Sequence, residues 1–279
     1  MKVFEKIIDI NSYLLHQLDS GKTIGFVPTM GALHIGHISL VEKSIAENDL
    51  TVVSIFVKPI QFNNPADLEK YPRNLQQDQE MLENAGVDIV FVPSVEEMYP
   101  EPVTTTYEFG SLSRVMEGEF RPGHFNGVAV VVRKLLEIVM PHKAYFGEKD
   151  FQQLQIIKAL VRNLNLPVQI VPCPISREDD GLARSSRNAR LTLEMREAAP
   201  FIYAQLLKAR SNAISMTSEE LEAWMTESFS NHHLLRLEYF TVANGETLQH
   251  TNGKINPSDY GFIAVYAGDI RLIDNIRLF

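Results

Sequence analysis

Short β-branched runs alternate with amphipathic stretches up to about Ser176. Residues 23–27 read as a buried strand, and so do 51–57 (Thr-Val-Val-Ser-Ile-Phe-Val), 88–92, 143–146 and 168–171. Between them apolar residues recur with helical spacing near 38–47, 75–84, 126–139 and 151–164. Strands alternating with helices predict right-handed crossovers and an α/β fold whose parallel sheet is covered on both faces. A doubly wound sheet of this kind gathers its ligand crevice at the carboxyl ends of the strands, which directs attention to the loops that follow them.

The pattern then changes. A polar stretch, 177–188, leads into a long helical segment that Pro200 is expected to kink or divide. The next helix opens on Thr217-Ser218-Glu219-Glu220, a capping-box pattern whose two ends satisfy each other's orphan amides. The tail reads as strands at 236–242, 262–266 and 270–273, with Gly268-Asp269 as the turn between the last two. The expected division is therefore a larger domain over 1–176 and a smaller α+β domain over 177–279.

Composition narrows the class. The 279 residues are 45% hydrophobic and 22% charged, as in an ordinary globular protein. A formal charge of -9 argues against a nucleic-acid partner, which requires a basic surface to displace counterions. Cys173 is the only cysteine, so neither an intrachain disulfide nor a thiolate metal cluster can form, and a reducing compartment is expected. The opening Met1-Lys2-Val3-Phe4-Glu5-Lys6 lacks the apolar core of a signal peptide. The apolar run 128–132 stops at Arg133 and Lys134, well short of the roughly 20 residues that span a bilayer. A cytoplasmic chain without a membrane partner is the expectation.

The most informative segment is Phe26-Val27-Pro28-Thr29-Met30-Gly31-Ala32-Leu33-His34-Ile35-Gly36-His37. It follows a strand and opens a helix, where unpaired amides and a partial positive charge favour phosphate. Gly31 and Gly36 leave room for backbone to approach a ligand. His34 and His37, three apart on the first helical turn, can reach the same phosphate. Two histidines at a helix start also occur as simple caps or core residues, and a short pattern alone does not choose between these readings. A zinc site lacks a third ligand at suitable spacing.

The pattern H-x-G-H after a first strand resembles the ATP-binding signature of the nucleotidyltransferase superfamily. The longer string P-T-M-G-x-L-H-x-G-H resembles the pantothenate synthetase family. Four later blocks match that family in order: Ser54-Ile55-Phe56-Val57-Lys58-Pro59-Ile60-Gln61-Phe62, Arg121-Pro122-Gly123-His124-Phe125-Asn126-Gly127-Val128, Phe146-Gly147-Glu148-Lys149-Asp150-Phe151-Gln152-Gln153-Leu154 and Asp180-Gly181-Leu182-Ala183-Arg184-Ser185-Ser186-Arg187-Asn188. Each also has its own chemistry. Lys149 can neutralise triphosphate charge and Asp150 can offer oxygens to Mg²⁺, although Lys-Asp at a strand-to-helix turn is often only a solvated cap. Ser185, Ser186 and Arg187 suit phosphate oxygens. No role follows for the Arg121–His124 turn.

The resemblance implies a Rossmann-like ATP- and pantoate-binding domain and a C-terminal lid. It implies ATP-dependent condensation of pantoate with β-alanine through a pantoyl-adenylate, with Mg²⁺, in a homodimer. It places ATP against Met30, Gly31, His34, Gly36, His37, Gly147, Glu148, Lys149, Asp150, Ser176, Arg184, Ser185, Ser186 and Arg187. Pantoate and β-alanine fall against Gln61 and Gln153, and His37, His34, Lys149 and Arg187 are the expected catalytic groups, His37 as proton donor. Two positions depart from the family pattern. Lys58 replaces the usual Asn of V-N-P-x-Q-F, and Arg184 replaces the Met or Leu before Ser-Ser-Arg-Asn; both are expected to add positive charge near an anionic site. Two other readings remain: a nucleotidyltransferase that leaves AMP on a phosphate ester, and a nucleotide-binding module without turnover.

Overall fold

A computed structural model describes residues 1–57 and 74–279; Lys58 and Gln61 lie outside the described residues. The first sheet has six parallel strands in the order β1 (Lys2–Phe4), β4 (Ile89–Phe91), β3 (Leu50–Ile55), β2 (Ile24–Thr29), β5 (Lys143–Gly147), β6 (Gln169–Cys173). β3 is buried throughout and β2 nearly so, which is why these runs are apolar on both pleat faces rather than alternating. From β2 the chain winds outward to β3 and β4, then returns to lay β5 on the other side of β2. The reversal opens a crevice where the carboxyl ends of β2 and β5 meet. Phe26 pairs with Ala144, so Thr29 and Gly147, each three residues on, leave the sheet at the same level.

Helices cover both faces. The helix His124–Val139 carries the run Val128-Ala129-Val130-Val131-Val132 and is buried on nearly every side. Its β-branched residues would suit a strand, but it is bounded by left-handed residues, Gly123 and Met140, and packs between sheet and solvent-side helices. One part of the fold escaped the sequence pattern. The N-terminal segment forms β1, paired with β4, followed by the helix Ile7–Asp19. A three-residue strand is too short to show a period. The helix buries Ile10 and Leu14 while exposing Ile8 and Leu15, which blurs its apolar face.

The C-terminal part builds a three-stranded antiparallel sheet from β7 (Leu235–Asn244), β8 (Asp259–Ala267) and β9 (Ile270–Arg277). Gly268, at φ +62, and Asp269 make the β8–β9 turn, as expected. Pro200 separates the helices Leu193–Ala198 and Phe201–Asn212, and the Thr217–Glu220 capping box starts the helix Ser218–Ser230. These helices and the sheet share a core of their own, including Leu206, Leu221, Met225, Val242 and Val265. A bulge between Leu237 and Tyr239 takes Glu238 out of register, and its carboxylate meets Arg271.

Charged groups join the two parts. Arg271 of β9 donates to both oxygens of Glu117, at 2.6 and 2.7 Å, and to Glu238. The Tyr239 hydroxyl donates to Glu117 at 2.9 Å. Burial alone would raise the Glu117 carboxyl, but Arg271 and Tyr239 overcome it and hold it below the usual carboxylate range. Among the described residues no helix is long and apolar enough to cross a membrane.

Candidate active site

The loop after β2 is held from beneath by a residue that no motif contained. Gly31 (φ +77) and Ala32 (φ +50) are both left-handed, a conformation costly for alanine unless its surroundings impose it. The buried carboxylate of Asp78 imposes it. It accepts from the amides of Ala32 at 2.9 Å and Leu33 at 2.7 Å. A Cβ on Gly31 would stand 2.9 Å from the same carboxylate, so glycine is required there for space as well as for φ. In the sequence Asp78 reads only as an acid in the first turn of the helix Leu75–Asn84, favourable to the helix dipole. Asp78→Ala leaves two buried donors unpaired and is expected to cost about 3 kcal/mol of stability. Binding of the nucleotide that the family resemblance implies should weaken with it, and Asp78→Asn should lie between. Urea unfolding and nucleotide titration would check this; a loss below about 1 kcal/mol with unchanged ATP affinity would refute the anchoring role.

The two histidines cap the next helix and still face the crevice. His34 is the N-cap of the helix Ile35–Glu47, and its Nδ1 accepts from the Gly36 amide at 3.1 Å. The Nδ1 of His37 accepts from the His34 amide at 3.3 Å, and the ring centroids lie 4.1 Å apart. A Cβ on Gly36 would fall 2.9 Å from the His34 ring, so only glycine lets the ring fold back over the turn. With Nδ1 accepting in both rings, the neutral proton sits on Nε2. Burial, reinforced by Lys149 and Arg184, pushes His34 down to about 4. Burial and the neighbouring His34 push His37 down to about 3. Capping and ligand-facing roles therefore coexist: Nδ1 serves the backbone, while both residues line one cavity of about 210 Å³.

These shifts have a definite sign. Both folded pKa values lie below the unfolded value of 6.5, so the unfolded chain binds more protons as the pH falls below that value. The stability contributed by the neutral pair is complete above pH 6.5 and drains away as pH drops toward 4 and 3. In proton NMR the ring Cε1–H resonances of His34 and His37 should not move between about pH 8 and pH 5. A midpoint near the ordinary histidine value in either ring would contradict the geometry.

Across the crevice, β5 ends in Gly147 and a 3-10 turn, Glu148–Asp150, before the helix Phe151–Asn163. Asp150 occupies the helix N-cap position but makes no side-chain cap bond there. It and Lys149 line the 210 Å³ cavity and also a larger one of about 510 Å³ toward the C-terminal sheet. The two adjacent glutamines are separated in role. Gln152 is buried and spent on the Glu117 amide and the carbonyls of Leu112 and Val115, whereas Gln153 faces the crevice.

The loop from residue 176 closes the ring. The Ser176 carbonyl accepts from the Arg184 amide at 2.9 Å, and the Ser185 hydroxyl caps the turn Ser186–Arg190 by accepting from the Arg187 amide. Ser176, Arg184, Ser185, Ser186 and Arg187 share the cavity with His34 and His37, and Met30, Gly36, Gly147, Lys149 and Asp150 complete it. Arg184 lines the cavity while its guanidinium pairs with Glu178 at 2.9 Å and donates from Nε to the Arg177 carbonyl, so Glu178 offsets part of the charge it brings. Gly31 and Glu148 adjoin the cavity in sequence without lining it. Two residues without an assigned role, Arg121 and the buried His124, also line it, beside Gln153. The Arg121-Pro122-Gly123-His124 block was the signal, but a turn motif does not say which way its side chains face.

Neutral imidazole donors, a lysine, arginines and hydroxyls thus converge around one carboxylate. That set suits a polyphosphate, because charge-assisted donors surround a cavity partly shielded from water. Comparison with known proteins agrees with this geometry. Residues 2–277 match the family model Pantoate-beta-alanine ligase. A pantothenate synthetase of Bacteroides fragilis is 52% identical over 279 residues, covering 99% of each chain, and one of Porphyromonas gingivalis is 50% identical over 278 residues with 99% of each covered. The crystal structure of pantothenate synthetase from Thermus thermophilus superposes with a TM-score of 0.93 at 40% identity, over 100% of both chains. That of the Francisella tularensis pantoate-beta-alanine ligase, complexed with beta-gamma ATP and beta-alanine, gives 0.83 at 40% identity, over 100% of this chain and 98% of the other. With residues 2–277 matched by the family model and relatives about half identical along nearly the whole chain, this chain belongs to the pantoate–β-alanine ligase family.

Proposed function

We propose that the crevice between β2 and β5 makes pantothenate through a pantoyl-adenylate: the pantoate carboxylate attacks the α-phosphorus of ATP, and pyrophosphate leaves. The observation that carries this reading is the meeting of the neutral His34–His37 pair with Lys149 and Arg187 around one cavity. No general base is needed, because a carboxylate is already ionised at neutral pH. The chain's task is to position the reactants and stabilise the charge that moves onto the departing phosphates. His34 and His37 donate from Nε2, Lys149 and Arg187 supply charge, and Ser185 and Ser186 hold phosphate oxygens. Met30, Gly31, Gly36, Gly147, Glu148, Ser176 and Arg184 shape the nucleotide side. Gln153, with Gln61, orients pantoate and leaves its carboxylate nucleophilic. His37, the proton donor that the family resemblance implies, presents its Nε2–H toward the phosphates.

In the second half the β-alanine amine, once deprotonated, forms the amide bond with the activated carbonyl carbon, and the bond from that carbon to AMP breaks. The part from residue 177 onward acts as the lid that shields the adenylate from water. Among the described residues no three-carboxylate or histidine cluster is placed to hold a metal by itself. Mg²⁺ characteristically needs only one or two carboxylates beside substrate phosphates, and Asp150, exposed toward the cavity, fits that use. When bound, the ion would neutralise phosphate charge. The homodimer and the cytoplasmic location implied by the family resemblance belong to the same reading.

The test is release of pyrophosphate and AMP from Mg-ATP with pantoate, with and without β-alanine. Pyrophosphate with pantoate alone, and AMP turnover only after β-alanine is added, is the expected result. AMP retained on a phosphate ester would favour a nucleotidyltransferase, and ATP binding without pyrophosphate would indicate a binding module.

A further inference from the structure

β9 reaches from the C-terminal sheet to both rims of the crevice through two consecutive residues. Asp274 and Asn275 are 5% and 4% exposed. Neighbours on a strand project to opposite faces, so one short segment can hold two different loops. Asp274 takes Arg177 bidentately, at 2.6 and 2.9 Å, and its Oδ1 also accepts from the Asn275 amide at 2.8 Å. Arg177 stacks on Tyr203 at 3.7 Å, donates to the Gly181 carbonyl, and through its own carbonyl receives Arg184 Nε. Arg177 is therefore the fastening of the loop that carries Ser185, Ser186 and Arg187. Asn275 Nδ2 donates to the carbonyls of Glu148 at 2.9 Å and Lys149 at 3.2 Å. Those carbonyls belong to the 3-10 turn that presents Lys149 and Asp150 to the crevice.

We propose that the Asp274–Asn275 pair is a positioning clip that sets Lys149 against the Ser186–Arg187 loop, so that the C-terminal sheet takes part in adenylate formation without touching the nucleotide. The inference rests on the function proposed above. Its physical basis is that a reacting group displaced by about 1 Å can cost on the order of 10²-fold in rate. Each rim is a loop or a single turn. A strand buried in a sheet is the stiffer reference.

Asn275→Ala removes both donors and leaves space for water at the two carbonyls. Pyrophosphate release at saturating ATP and pantoate should fall on the order of 10- to 100-fold. AMP, which lacks the phosphates facing Lys149, should bind within about threefold of the parent. The decisive readout is a double-mutant cycle with Lys149→Met. If Asn275 acts by placing Lys149, Asn275→Ala costs little further once the ammonium is gone, because coupled residues are not additive. The same fold-loss in both backgrounds, or a parental rate in Asn275→Ala alone, overturns the proposal. Should Asn275→Ala fail to fold, Asn275→Ser, which keeps one donor in a smaller volume, carries the same cycle. Absence of pyrophosphate from the parent enzyme would instead reject the assigned reaction, so the two failures are distinguishable.

Discussion

Lys149→Met lowers pyrophosphate release from ATP and pantoate by about 10²–10³-fold while AMP still binds within about threefold, the signature of charge stabilisation lost where charge develops. Lys149 sits on the turn between β5 and the helix Phe151–Asn163, close enough to help depress both histidines. Its positive charge and the neutrality of His34 and His37 are therefore one design. Were the rings protonated, cations would crowd the cavity before the substrate arrived. In the proposed reaction, neutral rings leave the charge to Lys149 and Arg187 and supply directed donors. Methionine keeps most of the length and removes the charge. Arginine should restore little, since a planar fork cannot occupy the place of a compact ammonium point charge. Single-turnover measurement of pyrophosphate separates this step from amide formation. A rate within about fivefold of the parent would remove Lys149 from the chemistry.

Arg271→Met is expected to destabilise the protein by about 3–5 kcal/mol, because it strands two carboxylates rather than removing one contact. The guanidinium lies between Glu117 and Glu238, and these three side chains are only 12–18% exposed. Arg271 lies 154 residues from Glu117 in the chain, so the ion pair ties the C-terminal sheet to the helical segment beside the crevice. Without it the like charges repel, and the variant's deficit should narrow as acid protonates one of them. Without Arg271, burial raises the folded Glu117 carboxyl above its unfolded value, so the variant's stability is lost as pH rises through it. The double variant Glu117→Gln/Arg271→Met should recover much of the loss, as neutral replacements of buried pairs often do. Thermal unfolding at about pH 5 and pH 8 checks this; a loss of equal size at both, unrelieved by the second substitution, would contradict it.

Much of the site is legible in the residue pattern. The glycines of the first loop, the histidine pair and the Lys149–Asp150 turn all lie at strand-to-helix junctions, where the parallel-sheet pattern directs attention. The adjacent glutamines show where that legibility ends. Gln152 and Gln153 are equally polar and equally placed, and only the packing of the Leu112–Glu117 segment against the helix decides that the first is structural. Arg184 shows the same limit for charge. Its residue type announces a cation beside the nucleotide, but Glu178, brought across a turn, has already paired with it.

Local chemistry along the chain was enough for the alternation of strands and helices, the break at Pro200, the Thr217–Glu220 cap, the Gly268–Asp269 turn and the ordered blocks of the ligase family. Each depends on backbone dihedrals, on the period of buried positions, or on side chains within one turn of the amides they satisfy. Folding had to bring distant segments together before Asp78 could hold the first loop from 46 residues away, Arg271 could tie Glu117 to Glu238, or Asp274 and Asn275 could reach both rims of the crevice. A buried polar group takes whatever partner the fold brings within about 3 Å, and that partner is set by the packing of remote elements rather than by the period of either one.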